Sequence, residues 1–396
     1  MSKNIVILFD GTSNEISNDR TNILRLFGTL EHSARQIVRY DPGVGTFGAD
    51  DSWSPLWRGT VEVWGLATGW GLDQNVKEAY RFLVENYDAG PVEDGQNVDR
   101  DRIFIFGFSR GAYTARVLAG FLHAFGLTSK YNLNLIDYAY RTYKSVNADG
   151  DAAAVDGTSR FAKMRLYEKT LVNDHPPIKL LGLFETVASL LEVGHGRLQM
   201  KTHPFTDANP SVEWVRQALA IDEKRTMYRP EYWKPDQDYH ARHSATAKSK
   251  QNFMEVWFAG VHCDVGGGYP ETESAQIKIP LDWMIRETEP TGLHYRHEVI
   301  DRIVLGKDPE MPRYQPLSPT GPLHNSMNAA WRILEWIPRE IPRSSLRKAH
   351  AHGMYIPRSD PRLIPAGALL HESVRTRLET GDYKPQNLPR THHYVP

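Results

Sequence analysis

Cysteine is almost absent from this chain: Cys263 stands alone among 396 residues. A single thiol makes neither an intramolecular disulfide framework nor a cysteine-ligated zinc site. An excess of one charge sign is missing too. Lys and Arg number 47 against 48 Asp and Glu, a formal net charge of −1 at pH 7. Dedicated nucleic-acid binders carry a strong basic excess, so no nucleic-acid partner is expected. No apolar run approaches the ~18 residues that a membrane-spanning helix needs. The opening Met1-Ser-Lys-Asn-Ile-Val-Ile-Leu-Phe-Asp10 is too short in its apolar run for a signal peptide and reads as a first strand. The expectation is a cytoplasmic protein, with export by a route that cleaves no signal left open. Internal repeats and a clear interdomain linker are also lacking. What remains, 40% hydrophobic and 24% charged residues, suits a soluble globular protein with a substantial core.

Short apolar runs alternate with helical patterns along the chain. Ile5–Phe9, Gln36–Tyr40, Ile103–Phe106, Ile178–Phe184 and Met254–Val261 read as strands. Helices are expected from Thr21 to Leu30, from Asn75 onward, after Ser109, over Asn134–Tyr143, from Ser211 to Ala220 and over Pro280–Ile285. Asn147 to Gly157 is the loosest stretch and reads as a mobile loop or insertion. Strands alternating with helices imply a mainly parallel α/β sheet covered on both faces. Residues 1–290 are expected to form the core. Residues 291–396, rich in Pro, His and Arg, are expected to be a helical or irregular extension packed on the same domain.

One segment carries the most chemistry. The run Ile103-Phe-Ile-Phe106 leads into Gly107-Phe-Ser109-Arg-Gly111, then into the helical Ala112-Tyr-Thr-Ala-Arg-Val-Leu-Ala119. G-x-S-x-G between a strand and a helix is the pattern of a nucleophile elbow. The turn is so tight that the serine takes a strained backbone conformation, and small neighbours remove the clashing side chains. The simpler alternative is a glycine-bounded turn whose serine only caps the helix.

Polar clusters follow four of the strands: Asp10-Gly-Thr12, Ser109, Glu185 and His262. Loops at the carboxyl ends of parallel strands gather on one edge, where ligands bind. Ser109, Glu185 and His262 run in the order nucleophile, acid, base, as in triads on the α/β-hydrolase scaffold. A serine hydroxyl is a poor nucleophile at neutral pH until a base takes its proton. His262 suits that task and Glu185 would orient it. His324 and His371 are rival bases and Asp264 a rival acid, while Glu185 could instead pair with an arginine. Cys263 reads as a packed residue. An oxyanion hole needs two backbone N–H groups; Arg110 is expected to supply one, and Gly11 or Thr12 the other. Asp10, Trp53 and Trp57 are candidate substrate contacts. Trp53, Trp57, Trp64 and Trp70 crowd a glycine-rich loop that is either a lid or lipid-facing edge, or aromatic packing that tethers the loop. Between Arg339 and Arg358, basic residues alternate with apolar ones, giving either a solvated surface or a peripheral membrane contact.

Cofactor signals fail on inspection. Gly43-Val-Gly-Thr-Phe-Gly48 fits G-x-G-x-x-G, but no helix opens after it to receive a pyrophosphate. Gly266-Gly-Gly268 lacks the Lys-Ser/Thr of a P-loop. Asp10 has no second carboxylate at metal-ligand spacing. Neither a metal nor a cofactor is expected.

Phe9-Asp-Gly-Thr12, Tyr40-Asp-Pro-Gly-Val-Gly-Thr46, Gly107 to Arg116, Ala220-Ile-Asp-Glu-Lys-Arg225 and Val256 to Tyr269 together resemble an α/β-hydrolase family. That family includes the catalytic domain of type VI secretion phospholipase effectors, the Tle-like lipases. The resemblance spans roughly residues 4–290. It implies an α/β-hydrolase fold, a Ser–Asp–His triad and, in the effectors, phospholipase A activity. Carried over by motif, the nucleophile falls on Ser109 and the base on His262. The family's usual Asp-Thr-Val stands here as Glu185-Thr-Val187. The expected substrate is a lipid or phospholipid acyl ester, with a soluble ester as the alternative. A binding module without turnover is a third reading.

Overall fold

Eight strands form one sheet in the computed structural model, which describes residues 2–11, 20–43, 70–94, 96–146, 160–171, 173–187, 191–194, 197–200, 203–240, 249–308, 313–340 and 354–396. They are β1 (Asn4–Phe9), β2 (Gln36–Asp41), β3 (Arg102–Phe108), β4 (Ile178–Phe184), β5 (Val212–Ala220), β6 (Asn252–Phe258), β7 (Ala368–His371) and β8 (His392–Val395). Their spatial order is β8-β7-β6-β5-β4-β3-β1-β2, and every neighbouring pair is parallel. A parallel sheet must be covered on both faces, and the side-chain alternation shows how. Ile5, Ile7, Phe9, Ile103 and Ile105 face one apolar cluster; Val6, Leu8, Phe104 and Phe106 face another.

Helices supply the two covers. Helix α1 (Asn22–Thr29) starts where the Thr21 hydroxyl accepts the Leu24 N–H at 3.0 Å, a side-chain cap. It lays Ile23 and Leu26 on the second cluster. On the first lie α2 (Trp70–Asn86), α3 (Arg110–Phe125) and α4 (Ile136–Ser145), through Val76, Tyr80, Leu118, Phe121 and Tyr143. Next come α5 (Arg160–Leu171), the short α6 (His262–Gly266) and α7 (Ile279–Thr288), whose Trp283 and Met284 complete the second cluster. Fully burying such a side chain contributes about 1.5–3 kcal/mol, so the sheet is a firm platform for the loops at its edge. Strand β1 lies between β2 and β3, so the loops after β1 and β3 part company there. Such a switch point opens a crevice at the carboxyl edge.

Two sequence expectations change. Residues from Ser211 to Ala220 are not a helix but the central strand β5, paired with β4 and β6. Val215, Ala218 and Leu219 fit either period. The outcome is set by neighbours that sequence spacing does not reveal: Glu287 and Asn252 receive the Arg216 guanidinium, and Glu255 accepts from Gln217. The segment beyond 290 also returns to the sheet. After α8 (Ala329–Leu334) it adds β7, α9 (Glu372–Glu379) and β8. Ile364, Leu370 and Val374 pack there on Leu219 and Trp257 of β5 and β6. Trp53, Trp57, Trp64, the loop from Asn147 to Gly157, and Arg343, Arg347 and Lys348 lie outside the described residues. Among the described residues no helix is long and apolar enough to cross a membrane.

Candidate active site

A single residue turns the chain from β3 into α3. Ser109 has φ 57° and ψ −121°, on the positive side that non-glycine residues avoid. Backbone bonds hold it there. Its N–H donates to Phe184 O at 3.0 Å, and its carbonyl accepts from Tyr113 N–H at 3.2 Å. The flanking glycines follow from contact, not from flexibility. A Cβ on Gly107 would come within 2.4 Å of the Gly111 carbonyl oxygen, and one on Gly111 within 2.3 Å of the Phe9 carbonyl oxygen. Any larger residue at either position would push α3 off β1 and β3.

His262 opens α6 a few residues after β6, with its ring over the elbow. Its Nε2 is 2.9 Å from Ser109 Oγ, and its Nδ1 is 2.9 Å from Glu185 Oε2. An ionised carboxylate only accepts, so Nδ1 carries the ring proton and Nε2 accepts from the serine hydroxyl. Phe108 and the edge of Tyr228 wall the ring at centroid distances of 4.9 and 4.8 Å. The His262 backbone N–H donates to Glu223 Oε2 at 3.2 Å. Burial pulls the imidazole below its ordinary value and Glu185 opposes this only in part, so the ring is neutral at neutral pH.

Glu185 follows β4 with φ 51° and is completely buried. Its Oε1 accepts from Ala220 N–H at 2.6 Å and from Arg362 Nη1 at 2.7 Å; Oε2 accepts from Arg362 Nη2 at 2.7 Å as well as from His262. Burial alone would raise its carboxyl. The Arg362 charge, with the hydrogen bonds from His262 and Arg362, outweighs that and holds it below the usual carboxylate value. A second buried pair lies alongside. Glu223 takes the Arg225 guanidinium at 2.9 and 3.0 Å, and despite its burial this pair brings its carboxyl down to about 2. Arg225 in turn stacks on Tyr228, 3.7 Å from the ring centroid.

Ser109, Glu185 and His262 are therefore brought together. The rivals are engaged elsewhere. His324 lies between Asp264 and Glu273, stacked on Tyr269, and its imidazole is raised because these two carboxylates outweigh desolvation. His371 bonds Ser373 and stacks on Phe258; burial pushes it down to about 4. Asp264 accepts from Val261 N–H and His324. Desolvation pushes the partly buried Cys263 thiol up to about 12, so it carries no thiolate at neutral pH. Asp10, 1% exposed, receives Thr21 Oγ1, Tyr40 OH and the Gly11 N–H at 2.5, 2.8 and 2.7 Å, tying the end of β1 to its neighbours. Arg110 is the first residue of α3, and Thr12 lies outside the described residues. Among the described residues no group of three or more His, Cys, Asp or Glu is arranged to hold a metal ion.

Sequence reasoning allowed Glu185 an arginine partner without identifying it as Arg362, which binds the carboxylate beside His262 rather than in its place, and it missed Glu223 and Tyr228. Glu223 and Tyr228 lie in and just after the polar run Ile221-Asp-Glu-Lys-Arg225 that follows β5, and polar density directly after a strand was the available signal. Arg362 sits among prolines and charged residues, where nothing local distinguishes it from a solvated arginine.

The model of the type VI secretion system phospholipase effector Tle1-like catalytic domain matches residues 3–287. An uncharacterized protein of Saccharomyces cerevisiae is 33% identical over 235 residues, which are 57% of this chain and 32% of that protein. The match thus spans about a third of that relative's length. Two solved structures are also similar. An uncharacterized protein from Pseudomonas aeruginosa has a TM-score of 0.46 at 19% identity, over 80% of this chain and 49% of the other. A Tle1 effector bound to the VgrG spike from the type 6 secretion system has a TM-score of 0.34 at 16% identity, over 69% and 53%.

Proposed function

The chain belongs to the Tle1-like catalytic-domain family of type VI secretion system phospholipase effectors, and we propose on that basis that it cleaves phospholipid acyl esters through an acyl-enzyme on Ser109. The observation that supports this most is the continuous line Ser109–His262–Glu185, with both links at 2.9 Å and the serine held at φ 57°. In the proposed reaction Ser109 Oγ attacks the ester carbonyl carbon while His262 Nε2 takes its proton. The oxyanion forms beside the N-terminus of α3, where the backbone N–H of Arg110 is the proposed donor. Collapse breaks the carbonyl–alkoxy bond, and the imidazolium returns the proton to the departing alcohol, a lysophospholipid. Water then attacks the acyl-enzyme with His262 again as base and releases the fatty acid. Glu185 keeps Nδ1 protonated and stabilises the imidazolium throughout.

The C-terminal segment gives the lipid reading a physical basis. Trp331 of α8 packs edge-on against Tyr228, which packs against His262. From there the surface turns apolar. Ile333, Trp336 and Ile337 are 69, 59 and 45% exposed, and Arg358 lies over the Trp336 ring at 4.8 Å. Apolar side chains next to a guanidinium suit an acyl-chain and phosphate interface. The direct test incubates the protein with phosphatidylglycerol vesicles and measures released fatty acid. Release by the wild type and none by Ser109→Ala is expected. Release from neither, with hydrolysis of a soluble short-chain ester, would move the substrate to the soluble class.

A further inference from the structure

We propose that Arg362 is a positioning residue for the reaction above, brought from outside the family-matched segment to lock Glu185 in the one orientation that serves His262. The proposal rests on the Ser109–His262–Glu185 reading. Glu185 has one more rotatable bond than an aspartate, so a buried carboxylate on this longer arm needs more to fix it. The structure supplies three bonds besides the one to His262. Ala220 N–H and Arg362 Nη1 occupy Oε1; Arg362 Nη2 shares Oε2 with His262 Nδ1. The planar guanidinium matches both oxygens at 2.7 Å, a bidentate geometry that lysine cannot copy.

Arg362 is itself fixed. It is 2% exposed and donates also to Ala220 O at 2.8 Å and Tyr228 O at 2.6 Å. It therefore ties the end of β5, the His262 wall and the acid into one unit. Asn387 Nδ2 holds the segment by donating to Arg362 O at 3.2 Å and Ile221 O at 2.9 Å. The family match ends at residue 287, so the last part of the chain completes a site whose other members lie before it.

Charge gives the role a signature. His262 faces Glu185 through Nδ1 and Glu223 through its backbone N–H, while Arg362 and Arg225 pair with these two carboxylates. Two acids and two arginines leave the imidazole in a balanced field. Removing Arg362 leaves the Glu185 charge buried against His262. The imidazolium is then favoured and His262 binds its proton more tightly. A merely structural residue would change activity without moving this titration.

The experiment uses full-length protein with ¹⁵N-labelled histidine. The His262 signal is assigned by its loss in His262→Gln and titrated by NMR in wild type, Arg362→Met and Arg362→Lys. For Arg362→Met we expect the His262 midpoint to rise by about one unit or more. The acidic limb of the rate profile on a soluble ester should rise with it. Its kcat should fall about 10- to 100-fold, the loss seen when the outer partner of a metal-ligating histidine or carboxylate is removed, with KM little changed. Arg362→Lys keeps the charge and loses the fork, so its midpoint should stay near wild type with an intermediate kcat. An unmoved His262 midpoint in folded Arg362→Met overturns the proposal, whatever its activity. If Arg362→Met does not fold, a wild-type kcat in Arg362→Lys overturns it instead. The titration needs no turnover, so failure of Ser109 as nucleophile is seen separately, as a wild type that hydrolyses no ester.

Discussion

Glu185→Gln makes the sharpest demand on this site, because its carboxylate accepts four hydrogen bonds and donates none. An amide must put an NH2 where one oxygen was. If the NH2 takes the Oε2 place, it faces His262 Nδ1, and the ring answers by moving its proton to Nε2. The serine then has no base. If the NH2 takes the Oε1 place, it meets the Ala220 N–H and Arg362 Nη1, two donors against a donor. Either way Arg362 loses the carboxylate that both arms of its guanidinium bind. Loss of the correct tautomer costs about 10⁴-fold in kcat where it has been measured in serine triads, equivalent to about 5.5 kcal/mol of transition-state stabilisation. Removing one partner of a buried ion pair costs about 3–5 kcal/mol of stability. Glu185→Gln is therefore expected to lose both activity and urea resistance, whereas Ser109→Ala loses only the first. Rates on a soluble chromogenic ester and urea unfolding curves for the three proteins would settle it. A Glu185→Gln protein within tenfold of the wild-type rate and equal to it in urea midpoint would refute the reasoning.

Glu185→Asp withdraws the carboxylate by about 1.5 Å, one C–C bond, from a His262 contact of 2.9 Å; kcat on the same ester should drop at least tenfold even though the related motif carries aspartate. In acid, His262 and Glu185 act in the same direction. Both have folded-state values below their ordinary ones, so each contributes stability that is present above its ordinary value and lost as pH falls through the folded value. Hydrolysis should accordingly hold at neutral pH and fail only below the usual histidine midpoint of 6.5, and a rate profile breaking above that value would contradict the neutral imidazole. Replacing Ile333 and Trp336 together with Ser should lower hydrolysis of phosphatidylglycerol vesicles several-fold and leave the soluble-ester rate intact; equal effects on both substrates would detach this surface from lipid.

Sequence alone carried the fold where apolar runs were long and bounded. Ile5–Phe9, Ile103–Phe106 and Ile178–Phe184 are buried on both faces, and continuous runs are the signature of such strands. The elbow was legible because the close backbone contacts it demands are met locally, by glycines two residues either side of Ser109. The order Ser109, Glu185, His262 was legible because each follows its strand directly or within a few residues. Strand β5 was not, since Arg216 and Gln217 interrupt its apolar run and their partners come from β6 and α7. Strands β7 and β8 have four residues each, too few for a period to emerge. Arg362 lies 177 residues from the carboxylate it binds, and only the folded chain brings them together.

The most direct test of the central claim is covalent. A fluorophosphonate is attacked only by an activated serine, and its adduct can be placed by peptide mass spectrometry. The wild type is expected to be labelled at Ser109 alone, His262→Ala to be labelled orders of magnitude more slowly, and Ser109→Ala not at all. A folded wild type that takes no label, or takes it at another serine while hydrolysing ester, would contradict the account.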